Sequence, residues 1–196
     1  MRQLTSKPLE NDGDLHLSNV LHVKKHATQI ILEKLLSSTE PQERQRCVVA
    51  LGELGDDSAI PFLLDRLRSD EDFGVRVNCA CVLGDMRSRE AIGSLLHSLR
   101  NDPNPQVREI SAVAIGKIKD EQAIPILIEA LSGDEDDDVR ERCAVALGQF
   151  KNRKARAALK DALGTEKDPW VLFCIKRELS RGLQEKRGPG SEKTNS

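Results

Sequence analysis

An all-α fold is predicted for this chain, as a short row of helix pairs stacked in single file. Three observations predict it. A 32-residue period runs through most of the 196 residues without a slip: Gly52, Gly84, Gly116 and Gly148 mark it, as do Leu63, Leu95, Leu127 and Leu159. Within each period apolar residues recur at helical spacing, and the alternation a strand needs is absent. Aromatic residues make up only 3% of the chain, with no tyrosine. A thin stack packed by Leu, Ile, Val and Ala needs few rings, whereas one thick core leans on them.

Taken in order, residues 1–13 are polar, with Pro8 and Gly13, and read as a flexible arm. A weak helical pattern follows from Asp14 to His22. A strong one runs from Lys24 to Leu36, where Ala27, Ile31, Leu32 and Leu35 share a face. The run SSTEPQ breaks that helix, and the clear repeats begin: 42–73, 74–105, 106–137 and 138–169, with a half-repeat at 170–185. The repeat domain as a whole is read as 14–185. The tail 186–196, rich in Gly, Pro and Ser, reads as disordered.

Each repeat holds two helices. In the first, Cys47, Ala50, Leu51 and Leu54 form a stripe that Ser111, Ala114, Ile115 and Ile118 repeat. In the second, Ile60, Leu63, Leu64 and Leu67 are matched by Ile124, Leu127, Ile128 and Leu131. Neither stripe can be buried by its own pair, so every unit needs neighbours. Asp72, Asn104, Asp136 and Asp168 precede successive first helices, where a side-chain oxygen can cap free amides. Pro105 and Pro169 follow directly, and Pro61 and Pro125 fall in first turns of second helices, positions where a missing N–H costs nothing. The glycine column sits late in the first helix, where Gly costs about 1 kcal/mol against Ala. Close approach of a neighbouring helix is the simplest reason to keep it.

An arginine column, Arg44, Arg76, Arg108 and Arg140, reads as a structural ladder. Acidic residues recur in the preceding turn at Asp70, Asp102 and Asp134, so each Arg is expected to hold a carboxylate or helix-end carbonyl of a neighbouring unit. Cys47, Cys79 and Cys143 share one column with Ser111 and read as small core residues. The fourth repeat departs from the pattern: Arg156 and Lys160 stand where the others have Ile or Leu, as expected of a terminal unit whose polar face caps the array.

No catalytic set assembles. There is no phosphate loop and no Ser-His-Asp order. His22 and His26 stand one turn apart near His16, but no acid completes a zinc arrangement, so no metal and no cofactor is expected. The net charge of −2 lacks the basic footprint of a nucleic-acid binder. No apolar run reaches the roughly 18–20 residues of a membrane span, and no signal peptide is visible. With five cysteines this predicts a cytoplasmic protein with reduced thiols.

The repeat resembles the HEAT repeat, and within it the phycobilin-lyase HEAT-like subclass. The resemblance is carried by the Pro-x-Val-Arg run at Pro105 to Arg108, the Ala-x-x-x-Gly run at Ala112 to Gly116, and the Ala-Ile-Pro-x-Leu run at Ala123 to Leu127. It covers roughly Ala27 to Leu183. It implies a right-handed superhelix whose second helices line the concave side. Relatives of this kind include accessory subunits of bilin chromophore lyases, phycobilisome-associated proteins, scaffold proteins, and the iron enzyme deoxyhypusine hydroxylase. That enzyme holds iron with His-Glu dipeptides. Here Leu, Val, Ala and Ser follow His16, His22, His26 and His97, which argues against the same chemistry.

The outward positions of the second helices vary while the frame is held. One column reads Asp65, His97, Glu129, Asp161; another begins with Arg66; a third begins Arg68, Arg100; Phe62 and Ile126 are apolar members of a fourth. These nine residues are the candidate surface for a partner protein. Trp170 and Phe173, in the half-repeat, are read as a cap over the last core, with an exposed partner anchor as the alternative. The expected function is thus a non-enzymatic scaffold gripping another protein on its concave face. The alternative is an accessory subunit of a bilin lyase or a phycobilisome-associated protein, with a nucleic-acid-binding HEAT protein third.

Overall fold

The computed structural model describes residues 12–184, with the side chains of 18–181 placed. Among these residues there are ten α-helices and no strand. They are α1 (Asp12–Ser37), α2 (Pro41–Leu54), α3 (Ile60–Ser69), α4 (Phe73–Asp85), α5 (Ile92–Asn101), α6 (Pro105–Ile118), α7 (Ile124–Gly133), α8 (Asp137–Gln149), α9 (Arg153–Ala162) and α10 (Pro169–Gln184). The two segments expected at the start are one continuous helix. Of the arm expected over 1–13, residues 12 and 13 belong to α1 and the rest lie outside the described residues, as does the tail 186–196.

The helices form two layers. The first helices α2, α4, α6, α8 and α10 pack successively on one another, and α3, α5, α7 and α9 make the second layer with looser contacts between neighbours. Each of α3, α5 and α7 packs chiefly on the first helix of the next unit. The stripe within one repeat is therefore closed by the repeat that follows, which is what makes the array a solenoid. One core runs along the file from Leu35 to Ile175, through Leu63, Leu67, Leu95, Leu99, Leu127, Leu131 and Leu159, all almost wholly buried.

Local chemistry sets the helix ends. Asp72 accepts from the Val75 amide at 3.0 Å, Asn104 from Gln106 at 2.9 Å, Asp136 from Val139 at 3.2 Å and Asp168 from Val171 at 2.9 Å. Each such cap contributes roughly 0.5–2 kcal/mol. Short 3-10 turns, Asp57–Ala59, Arg89–Ala91 and Glu121–Ala123, lead into α3, α5 and α7, but α9 starts without one. The glycine column does lie under the next first helix. A Cβ on Gly84 would stand 2.7 Å from both Cα and Cβ of Ala114, and one on Gly116 3.2 Å from those of Ala146.

Candidate functional site

The arginine column bridges units through two kinds of contact. Arg44 donates to both carboxylate oxygens of Asp70 at 2.8 and 2.7 Å; Arg76 holds Asp102 at 2.8 and 2.9 Å; Arg108 holds Asp134 at 2.9 Å twice; Arg140 holds Glu166 at 2.9 and 3.3 Å. Each acid follows the second helix of the arginine's own unit, 26 residues on, as its C-cap in the first three units and three residues past the C-cap Leu163 in the fourth, and is not the acid in the turn before. The turn before supplies a carbonyl instead. Arg76 donates to Asp70 O at 2.8 Å, Arg108 to Asp102 O at 3.0 Å, and Arg140 to Asp134 O at 3.0 Å. The planar fork satisfies both at once, which a Lys would not. The same carboxylates accept the amides two residues on, of Asp72, Asn104, Asp136 and Asp168, and so shape the turn into the next unit.

Glu166 is held below the ordinary glutamate value of 4.5: burial pushes it up, but Arg140 and the amides of Asp168 and Lys167 outweigh burial. Its folded value lies below its unfolded one. Its contribution to stability is therefore complete above the usual carboxylate range and is lost as pH falls through the lowered value. The thermal midpoints of wild type and Glu166→Gln should differ at pH 7 and converge as the pH falls below the ordinary carboxylate range.

The second-helix face carries the candidate partner residues, some of them tied together in pairs. Arg68 on α3 crosses to α5 and donates to Ser94 Oγ at 3.0 and 2.8 Å. Arg100 on α5 crosses to α7 and pairs with both oxygens of Glu129, its Nε at 3.1 Å. The two arginines occupy one column but reach different partners, because the position opposite Arg100 is the apolar Ile126. Ser94 belongs to the same column as Phe62 and Ile126, and its buried hydroxyl is the contact on this face that sequence reasoning passed over. Arg66 faces Asp65 at 3.4 Å and Asp70 at 3.7 Å, so it partly serves the ladder. His97 meets Asn101 at 3.2 Å. Phe62 is 37% exposed, and among the described residues no hydrogen bond or ion pair joins it or Asp161 to the others. Between α5 and α7 a groove of about 290 Å³ is lined by Arg100, Ile126 and Glu129; another of about 260 Å³ lies between α3 and α5 beside Arg68 and His97.

Trp170 and Phe173 do not cover the last core. Val171, Cys174 and Ile175 do, each wholly buried, while Trp170 is 56% and Phe173 52% exposed. The helical period places Trp170 at the edge of that stripe, about one ninth of a turn from Cys174, and Phe173 beyond it. They stack with centroids 5.3 Å apart, and Trp170 Nε1 donates to Glu141 at 3.0 Å.

His22 and His26 are exposed. Among the described residues no group of three His, Cys, Asp or Glu side chains comes together as a metal would require. Cys47, Cys79, Cys143 and Cys174 are buried and unpaired, and burial pushes the Cys79 and Cys143 thiols far above their ordinary range, which favours the neutral thiol. Among the described residues no helix is long and apolar enough to cross a membrane.

Compared with protein families, the chain matches HEAT repeats over residues 28–111 and 92–173. It belongs to the HEAT-repeat family. Among solved structures, this HEAT-repeat protein is similar to the complex of CpcE and CpcF of phycocyanin lyase from Nostoc sp. PCC7120, with a TM-score of 0.68 and 23% identity. The match covers 82% of this chain and 66% of that one, so the chain spans just under two thirds of that relative's length. It is also similar to human deoxyhypusine hydroxylase in complex with glycerol, with a TM-score of 0.54 and 19% identity, over 82% of this chain and 75% of that chain. At these identities the likeness is one of fold. No curated protein matches the sequence.

Proposed function

We propose that this HEAT-repeat protein is a non-enzymatic scaffold that holds a partner protein on the face of its second helices. The carrying observation is the contrast within each repeat. The ladder arginines and the Gly and Leu columns recur, while the second-helix face bears different side chains that meet across neighbouring units, Arg68 on Ser94 and Arg100 on Glu129. Side chains already immobilised lose less freedom on binding, which favours recognition. Both signs of charge beside the exposed Phe62 and half-buried Ile126 suit a mixed protein surface rather than a polyanion. The free thiols fit work in the cytoplasm.

The test is affinity capture from source lysate with wild type and the double variant Arg68→Glu, Ile126→Asp, both first shown to be equally helical by circular dichroism. A protein retained by wild type and lost by the variant is expected. Identical captured sets would refute the reading.

A second reading is favoured by the likeness to the CpcE and CpcF complex, in which two chains of phycocyanin lyase assemble. In it, this chain is an accessory, non-catalytic subunit of a bilin chromophore lyase, or a phycobilisome-associated protein. Co-expression with an antenna apoprotein and bilin, read by visible absorbance of the denatured adduct, distinguishes the two. Adduct formation that depends on this chain supports the second reading.

A further inference from the structure

The fourth unit breaks the pattern of the other three at one corner, where α8, α9 and α10 meet. A cleft of about 670 Å³ opens there. That is the size of an ordinary small-molecule site. Five cations line it: Lys119 from the end of α6, Lys151, Arg153 and Arg156 around the start of α9, and Arg181 from α10. Its floor is apolar, formed by the buried Leu147, Phe150 and Leu159.

Two features separate this corner from an ordinary wet surface. The first is charge balance. The one acid in the lining, Glu178, is taken up by Arg181 at 3.0 Å and Arg177 at 3.1 Å. Lys119, Arg153 and Arg156 have no acidic partner among the described residues. Arg181 and Lys151 are engaged by partners of their own, and Glu121 accepts from Asn152 Nδ2 at 3.1 Å beside the lining, so the positive excess of the cleft rests on these three cations, on a chain whose net charge is −2. The second is substitution inside the repeat. Arg156 stands where units one to three place Ile60, Ile92 and Ile124, all buried. Arg153 stands where two of those units carry the acids Asp57 and Glu121, and Asn152 where two carry Asp56 and Asp120. The lead-in turn of the other units is also missing here, and the chain leaves α8 through extended Phe150. Replacing a core isoleucine by a guanidinium gives up apolar burial. Departures of this kind from an otherwise consistent frame are expected at functional sites.

We propose that this cleft is a binding site for a small organic anion bearing at least two phosphate or carboxylate groups on an apolar body. Arg153 and Arg156 carry planar forks that match either oxyanion in bidentate fashion, Lys119 adds a point charge, and the apolar lining takes the apolar part. The site lies on different residues from the second-helix face, so it stands or falls separately from the scaffold reading.

The test is isothermal titration of the full chain at low ionic strength with pyrophosphate and with citrate, on wild type, Arg156→Ile and Arg153→Glu. Arg156→Ile restores the residue of the other units, so its thermal midpoint should be equal to or above that of wild type. Saturable one-to-one binding of at least one probe is expected, weakened tenfold or more in both variants. Binding of pyrophosphate alone assigns a phosphate ligand, and binding of citrate alone a carboxylate ligand. Absence of saturable binding by both probes overturns the proposal, and so does affinity unchanged in Arg156→Ile.

Discussion

Arg108→Ala is expected to lower the thermal midpoint by roughly 10 °C. Arg108 is only 7% exposed and lies at the middle of the row. Its removal breaks two bonds to Asp134 and one to the Asp102 carbonyl. The Asp134 carboxylate stays where it is, its side chain 8% exposed, with its charge no longer opposed. Breaking a buried pair from one side costs about 3–5 kcal/mol, most of it the uncompensated charge. In a chain of this size each kcal/mol moves the midpoint by roughly 2–4 °C. The origin of the loss can be checked with Arg108→Met, Asp134→Leu. If the stranded carboxylate dominates, the double variant recovers much of the deficit, since a buried ion pair and an apolar pair of similar volume are often close in stability. A midpoint unchanged in Arg108→Ala, by calorimetry or circular dichroism, would remove the ladder from the account of inter-unit geometry.

The ladder also shows what periodicity can and cannot reveal. That an Arg recurs every 32 residues is plain from the sequence, and so is the recurrence of Asp70, Asp102 and Asp134. Which Asp meets which Arg is not, because each acid stands six residues before one arginine and 26 after another. Only the stacking decides that the fork takes the side chain of one turn and the main chain of the other. The same limit governs the faces. Val171, Cys174 and Ile175 could be read as a core stripe from spacing alone, but Trp170 and Phe173 draw attention by size, and size does not say on which side of the helix a ring sits. Ser94 was hidden for the opposite reason: a small hydroxyl in a column whose other members are apolar gives no signal until Arg68 is seen folded across it. Around α9 the substitutions Arg156 and Lys160 are legible as breaks in a pattern. That they open a cleft depends on how α10 closes the row, which no local spacing encodes.

Gly84→Ala and Gly93→Ala should move stability in opposite directions, although each adds one methyl group to a helix. Gly93 lies on the exposed side of α5, and a Cβ there meets nothing within 4 Å. Gly93 is the second residue of α5, so alanine should raise stability by roughly 0.4–1 kcal/mol, chiefly through a less free unfolded chain. Gly84 has the same gain, but its Cβ falls 2.7 Å from the Cα and Cβ of Ala114. Backbone cannot rotate away as a side chain can, so α4 and α6 must separate. Overpacking of this kind costs typically ~1–3 kcal/mol, and here it also loosens contacts along the whole helix pair. The net loss should be about 1–2 kcal/mol, which leaves the two variants separated by roughly 5–10 °C in thermal midpoint. Gly52→Ala should fall between them, because it meets the side chain of Val82 rather than main chain. Equal midpoints for Gly84→Ala and Gly93→Ala would mean that the first helices do not depend on a glycine seam for their spacing. The recurrence of Gly52, Gly84, Gly116 and Gly148 would then need another cause.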